Sequence, residues 1–384
     1  MLLAVLPMLC AFACSGDNGG GADPVVRDSA GIRIVENGPV ANEPAPWRVS
    51  AEPVMRIGWD EGDPEFAGVA QGAILGDGRV AVTTYDPRRL FVMSPTGEIL
   101  DAFGRDGGGP GELGAVVAVL GLGGDTILVQ HDRIRFSFVH DGELVRELRI
   151  TDAARSAVAG ATPAGRLVML PNSGSGIQQH ETTWSQAPIV SITRDAEQWD
   201  TIGLFEYLPP TADRPTYAPF GSAAVSGERI VVSRNDRTEL KWLDETGEPR
   251  QIARWQMPAR TVTDSVRSAL ERFMREYYQG PDYENVPATE IERRMAAALD
   301  RAYGPLPFHR LVIGDPDGNA WLPGYLVRPG WPNLYAVVSA DGRWLGVVQL
   351  PGEFKVLDIG ADGVLVVEEN ELDMQAVALY RLEK

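Results

Sequence analysis

Past residue 14 the 384-residue sequence has no cysteine, so its folded body holds no disulfide and offers no thiol nucleophile. Basic residues are outnumbered: 35 Lys and Arg stand against 53 Asp and Glu, for a formal net charge of -18. The longest basic runs, such as PRRL at 87–90, are only two residues deep. A surface of that sign repels phosphate backbones and anionic headgroups, which removes nucleic acid from the list of partners. No run after residue 13 is apolar for long enough to span a bilayer as a helix. The four histidines, His131, His140, His180 and His309, fall in no HxxxH or HExxH spacing, and no GxSxG turn occurs. A zinc-peptidase helix and a hydrolase nucleophile elbow are therefore excluded.

What is present is enough for a large core, with 44% hydrophobic and 23% charged residues. Both cysteines, Cys10 and Cys14, sit in the opening stretch MLLAVLPMLCAFACSGDNGGGAD. The apolar run from Leu2 to Ala13 has the length of a signal-peptide core, and small residues precede Cys14. This arrangement resembles a bacterial lipoprotein signal, in which Cys14 becomes the acylated first residue of the mature chain. Residues 1–13 then form the signal peptide, 14–30 a flexible tether and 31–384 the folded body. The expected location is extracytoplasmic, with the membrane reached only through the lipid.

One short pattern, a Gly-containing turn followed by apolar alternation, recurs six times: LGDGRVAV at 75–82, LGGDTILV at 122–129, PAGRLVM at 163–169, VSGERIVV at 225–232, PDGNAWL at 316–322 and GADGVLVV at 360–367. Turns of this kind need positive φ, which glycine supplies, and they mark β-hairpins. A second strand-like run follows each copy, and most then turn again, as in SPTGEIL, HDGELV, DETGEPR and ADGRWLG. Each unit reads as a four-stranded antiparallel meander. Six such units predict an all-β chain folded as a six-bladed β-propeller, in which radial repetition protects the sheet edges. The last unit lacks its fourth strand, so an N-terminal strand closes the ring, either GIRIVE at 31–36 or PVMRIG at 53–58.

Several stretches, VVRDSAGIRIVEN at 25–37, FGRDGGGPGEL at 103–113, DPRRLFVMSPTGE and LPGEFKVLDIGADGVLVV, resemble the bacterial six-bladed β-propeller proteins related to NHL-repeat domains. Many members of that family carry lipoprotein signals, and the resemblance covers nearly the whole mature chain. It implies fold and envelope location far more than activity, because propellers host many unrelated functions.

Turn glycines are 46 residues apart from Gly78 to Gly124 and 45 from Gly318 to Gly363, but 91 from Gly227 to Gly318. The excess is helical. In 263–278 Val266, Leu270, Phe273, Met274 and Tyr277 share one stripe; in 288–304 Ile291, Met295, Ala298 and Leu299 do the same. Thr289 and Glu292 are placed for a capping box. The helical insertion, 263–304, thus falls between blades four and five, on the face where inter-blade connections run, either over the channel mouth or as a decoration on the rim.

That face collects the middle loops and the inter-blade connections, and loops held by a rigid scaffold are where function concentrates. Asp86, Arg88, Arg105, Asp132, Arg133, Asn235, Asp236, Arg237, Arg328, Trp331, Glu369 and Asn370 are the candidate ligand-binding residues there. The glycine-rich GRDGGGPGEL at 104–113 lacks the Lys and the helix that a phosphate-cradling loop needs, so it reads as the connection from blade one to blade two. Aromatics gather in the fifth unit, at Trp321, Tyr325, Trp331, Tyr335 and Trp344, either to stack on a ligand or to pack between blades. With no catalytic set, the leading reading is a non-catalytic binding or scaffold protein for a protein, peptide or glycan. The alternative is a metal-assisted hydrolase or lyase with its site in the channel. No cofactor is required by the first reading; calcium, held by Asp, Glu and Asn oxygens, is the cation the second would favour.

Overall fold

The computed structural model describes residues 23–64, 66–151, 156–171, 177–327 and 330–384. Six antiparallel sheets stand in a ring. Unit one runs over 67–103, unit two over 116–149, unit three over 156–208, unit four over 221–256 and unit five over 313–349; unit six combines 355–383 with strands from the N-terminal region. Each Gly turn found in the sequence joins the first and second strands of its unit, and from unit six through unit one to unit five each innermost strand packs on the next. The six-bladed propeller expected from the repeats is therefore the observed architecture.

The core is divided rather than central. One cluster of buried apolar side chains fills each of the six seams between neighbouring sheets, with Trp242 in the seam of units four and five and Trp321 in that of units five and six, each at most 1% exposed. The inner strands, among them SAVAGA and GSAAVS, are rich in small residues because the wedge is narrowest at the axis. A Cβ on Gly160 would stand 2.7 Å from the Val225 side chain of the next unit. In five of the six units the pairing of third and fourth strands slips by one residue, at Val92/Met93, Phe138/Val139, Ile189/Val190, Trp242/Leu243 and Val337/Val338. Such bulges raise the local twist, turning each blade's outer edge relative to its inner one.

Of the two closing strands considered, PVMRIG closes the ring: Met55–Ile57 pairs antiparallel with the last strand, Gln375–Glu383, and Arg48–Val49 pairs with its end. GIRIVE has a different partner. Ile32–Pro39 lies parallel to Pro249–Gln256, the outer strand of unit four, and Val25–Ser29 folds back on it as a hairpin. The strand Val25–Ser29 thus lies inside the stretch 14–30 expected to be tether. Between these points the chain crosses the edge of unit five, where the Ala45 N–H donates to the Val347 carbonyl. Residues 32–57 form a belt over the outer edges of units four, five and six. Asn37 staples two of them, giving its Nδ2 to the carbonyls of Arg254 and Gly342 and accepting from the Trp344 N–H.

The insertion is the expected helical pair: α1 spans Asp264–Tyr277 and α2 spans Ala288–Asp300. Thr263 caps α1 by accepting from the Val266 N–H. The capping box predicted for α2 does not form. Its N-cap is Pro287, so Thr289 lies within the first turn, while Glu290 pairs with Arg293 and Arg294. The helices bury Leu270, Met274 and Met295 against Tyr217 of the connection between units three and four, with Tyr325 and Val327 of unit five at the edge. They therefore roof one side of the loop face.

Candidate functional site

Most candidate charges on the loop face are neutralised by neighbours. Arg88 faces Asp106 at 3.6 Å, Arg105 binds Glu112 at 3.1 Å, and Arg237 lies 3.5 Å from Glu206. Asp236 is engaged by Arg234, which also holds Glu206 and stacks 3.7 Å over the Trp184 ring. Asn235 is completely buried: its Oδ1 accepts from the Phe220 N–H and its Nδ2 donates to the Arg310 carbonyl, so it ties loops together and meets no ligand. Asn370 closes its own loop, accepting from the N–H groups of Leu372 and Met374, and Glu369 accepts from Gln375. Asp132 and Arg133 both have positive φ, and Asp132 accepts from the Ala115 N–H. Asp86 is exposed, and Arg328 lies outside the described residues, as does Cys14.

The glycine-rich segment is the expected connection, leading from Ile99–Phe103 to Val116–Gly121. It also makes an anion-binding concavity, which holds the chain's own Glu112. The Gly109 N–H donates to Glu112 Oε2 at 2.6 Å and Arg105 to Oε1 at 3.1 Å, holding this carboxyl below its ordinary range. Gly107 has φ of 149°, and a Cβ there would overlap the Glu112 carboxylate. Beneath it, the Gly114 N–H donates to His131 Nδ1, so Nε2 carries the proton and donates to Ser137, which reaches Glu147. Burial and the nearby Arg135 keep His131 neutral. This is a polar brace inside unit two.

Two regions remain as sites. The first is the open loop face at the seam of units six and one. Tyr85, Leu372 and Met374 are 51%, 76% and 45% exposed, and Trp59 binds the Met374 carbonyl through its indole N–H. Asp60 and Glu61 follow Trp59, Asp86 follows Tyr85, and Glu371 and Asp373 flank Leu372; none of these carboxylates forms an ion pair among the described residues. Below, the seam is knitted by polar bonds. The Lys355 ammonium donates to the carbonyls of Val69 and Ala70, Gln375 accepts from the Val69 N–H, and Asp358 accepts from the N–H groups of Ile74 and Ile359. Burial pushes the Asp358 carboxyl up to about 6, against the pull of those two donors.

The second is a cleft of about 470 Å³ at the seam of units four and five. Its walls come from the belt (Val40), the outer strand of unit four (Trp255), the return from the helices (Phe308) and unit five (Leu322, Tyr325, Trp344). Trp255 and Trp344 meet with ring centroids 5.4 Å apart. The aromatic cluster of unit five thus divides: Trp321 and Tyr335 are core, Tyr325 and Trp344 line the cleft, and Trp331, 38% exposed, lies beneath the Arg310 guanidinium.

His309, in the cleft wall, makes the one pairing here with the look of chemistry. Its Nδ1 faces the Leu311 carbonyl at 3.2 Å and so carries the proton, leaving Nε2 to accept from Ser233 Oγ at 2.9 Å. Yet His309 is 2% and Ser233 5% exposed, and burial lowers the imidazole to about 4. The pair clamps the chain returning from the helices onto unit four, beside the Phe308 N–H bond to the Asn235 carbonyl. Sequence reasoning missed it because its members are 76 residues apart. Among the described residues no three His, Cys, Asp or Glu side chains converge in a way that would hold a metal ion.

No protein-family profile and no curated protein matches the sequence. Solved structures do. A member of the DUF4221 family from Bacteroides vulgatus superposes with a TM-score of 0.52 at 12% identity, covering 88% of this chain and 99% of that one. A presumed exported protein from Bacteroides fragilis gives 0.50 at 10% identity, covering 91% and 100%. Virginiamycin B lyase from Staphylococcus aureus overlaps at 0.43 and 10% identity, covering 88% and 99%. At these identities the likeness shows the fold alone, and the lyase lends no argument about chemistry.

Proposed function

We propose that the protein is a non-catalytic binding propeller of the cell envelope, lipid-anchored through Cys14, whose open loop face at the seam of units six and one grips a basic segment of a protein or peptide. The supporting observation is the patch of Tyr85, Leu372 and Met374, exposed within a rim of carboxylates that have no cationic partner among the described residues. Several other charges on this face pair with each other, as Arg88 does with Asp106 and Arg237 with Glu206. An apolar centre with a charged rim is the anatomy of a protein interface, and the sign of the rim selects a basic partner. The location is consistent with the apolar N-terminus and small residues before Cys14, and with the presumed exported B. fragilis protein of the same fold.

The test is capture from envelope extract by the wild-type protein and by a variant carrying Tyr85→Ser, Leu372→Ser and Met374→Ser. Partners that need the patch should be lost from the variant and released from the wild type by salt. Recovery of the same proteins by both would sink the reading. Metabolic labelling with a radioactive fatty acid, present in wild type and absent in Cys14→Ser, tests the anchor.

A further inference from the structure

The cleft at the seam of units four and five is not used by that reading. Its volume, about 470 Å³, lies in the range of small-molecule sites, and its walls are predominantly carbon. In a chain with 53 acidic residues none of the lining residues is Asp or Glu. The one full charge in the lining is Arg260, since His309 is neutral above about pH 5. Arg260 donates from Nη2 to the carbonyls of Pro307 and Tyr325 at 3.2 and 3.4 Å and pairs with no carboxylate among the described residues. Its neighbour Arg310 is likewise without a carboxylate, bonding the Gly330 carbonyl and covering Trp331. Arg254, on the outer strand of unit four, shows the contrast: it pairs with both Glu239 and Glu36.

An apolar wedge with an exposed, unneutralised guanidinium at its edge is complementary to a molecule with a hydrocarbon body and an anionic head. We propose that this cleft binds a long-chain carboxylate of the fatty-acid type, its chain between Trp255, Trp344, Leu322 and Val40 and its head on Arg260. The chain contributes burial at about 25 cal/mol per Å² of apolar surface, and the guanidinium supplies the choice of head. A cationic amphiphile of the same length meets two arginines and is rejected.

The experiment uses the whole protein without its signal peptide and three probes of equal chain length, dodecanoate, dodecanol and dodecyltrimethylammonium, each kept below its micelle concentration. Binding is read by titration calorimetry and by the fluorescence of Trp255 and Trp344. Dodecanoate should bind at one site, dodecanol at least tenfold more weakly and the cation more weakly still. Arg260→Gln, a surface change, should bring dodecanoate down to the affinity of dodecanol. Ala336→Phe, which fills the cleft, should abolish binding of both; where its melting curve shows a damaged fold, Val40→Trp, on the belt side of the cleft, replaces it. Equal affinity for dodecanoate and dodecanol, indifference to Arg260→Gln, binding that survives cleft filling, or no binding at all would each overturn the proposal.

Discussion

Two seams of one ring are built on opposite plans. Between units six and one, polar bonds join Lys355, Gln375 and Asp358 to the neighbouring backbone beside the buried apolar cluster, and Tyr85, Leu372 and Met374 stand on the surface. Between units four and five the buried cluster around Trp242 is flanked by an open aromatic cleft, bordered by Asn37 on the belt and by His309 and Asn235 under the helices. A propeller seam can therefore present a surface or enclose a volume.

The largest expected contrast between the seams is in acid. His309 has an ordinary value of 6.5 and a folded value of about 4, so the unfolded chain takes up the proton first. Its contribution to stability is intact above 6.5 and is lost as pH falls towards 4, a loss of up to about 3 kcal/mol. Asp358 has the opposite sign: its folded value of about 6 lies above its ordinary 3.8, so stability is lost as pH rises between those values. His309→Gln should flatten the fall of melting temperature between pH 6.5 and 4, and Asp358→Asn should steepen it. Identical pH profiles for wild type and both variants would show that neither seam titrates.

Next in size is the ring closure itself. Arg56, on the closing strand, binds Glu368 at 2.8 and 3.3 Å, and Tyr380 donates to the same carboxylate, which is 3% exposed. Arg56→Ala leaves that carboxylate without its cation and should cost about 2 kcal/mol in urea unfolding, tempered by the partial exposure of the arginine. Asn37→Ala acts at the other seam by orphaning one N–H and two carbonyls, and about 1–2 kcal/mol is expected by the same measurement. If Asn37→Ala also weakens dodecanoate binding, the belt shapes the cleft as well as bracing the ring. The smallest effect belongs to the open patch. Tyr85→Ser, Leu372→Ser and Met374→Ser together should leave the unfolding midpoint almost unmoved, within about 0.5 kcal/mol per site, since these side chains are already in water.

The fold was legible because its signal is local and repeated: each Gly turn with its flanking alternation specifies a hairpin without knowledge of the rest. Partner choice was not. GIRIVE and PVMRIG both alternate as strands should, but nothing within six residues says that one lies parallel to unit four while the other closes unit six. The α2 cap failed for a related reason, since Pro287 fixes the entry of the chain ahead of Thr289. On the loop face, residue type placed the charges correctly on connections but could not show that Arg234 would sit between Asp236 and Glu206 or that Asn235 would be buried. The cleft was least visible. Val40, Trp255, Phe308 and Trp344 come together only when belt, outer strands and helical return are in place; the aromatic excess of unit five was its one trace.

The belt also limits how the molecule can present itself. Its outermost hairpin begins at Val25 on the rim of unit four, 11 residues after Cys14, and a chain of that length reaches at most about 40 Å. Were Cys14 acylated, the leash would leave the disc at the edge of unit four, on the opposite side of the ring from unit one. The patch at the seam of units six and one lies across the ring from that edge, and the cleft at the seam of units four and five lies beside it.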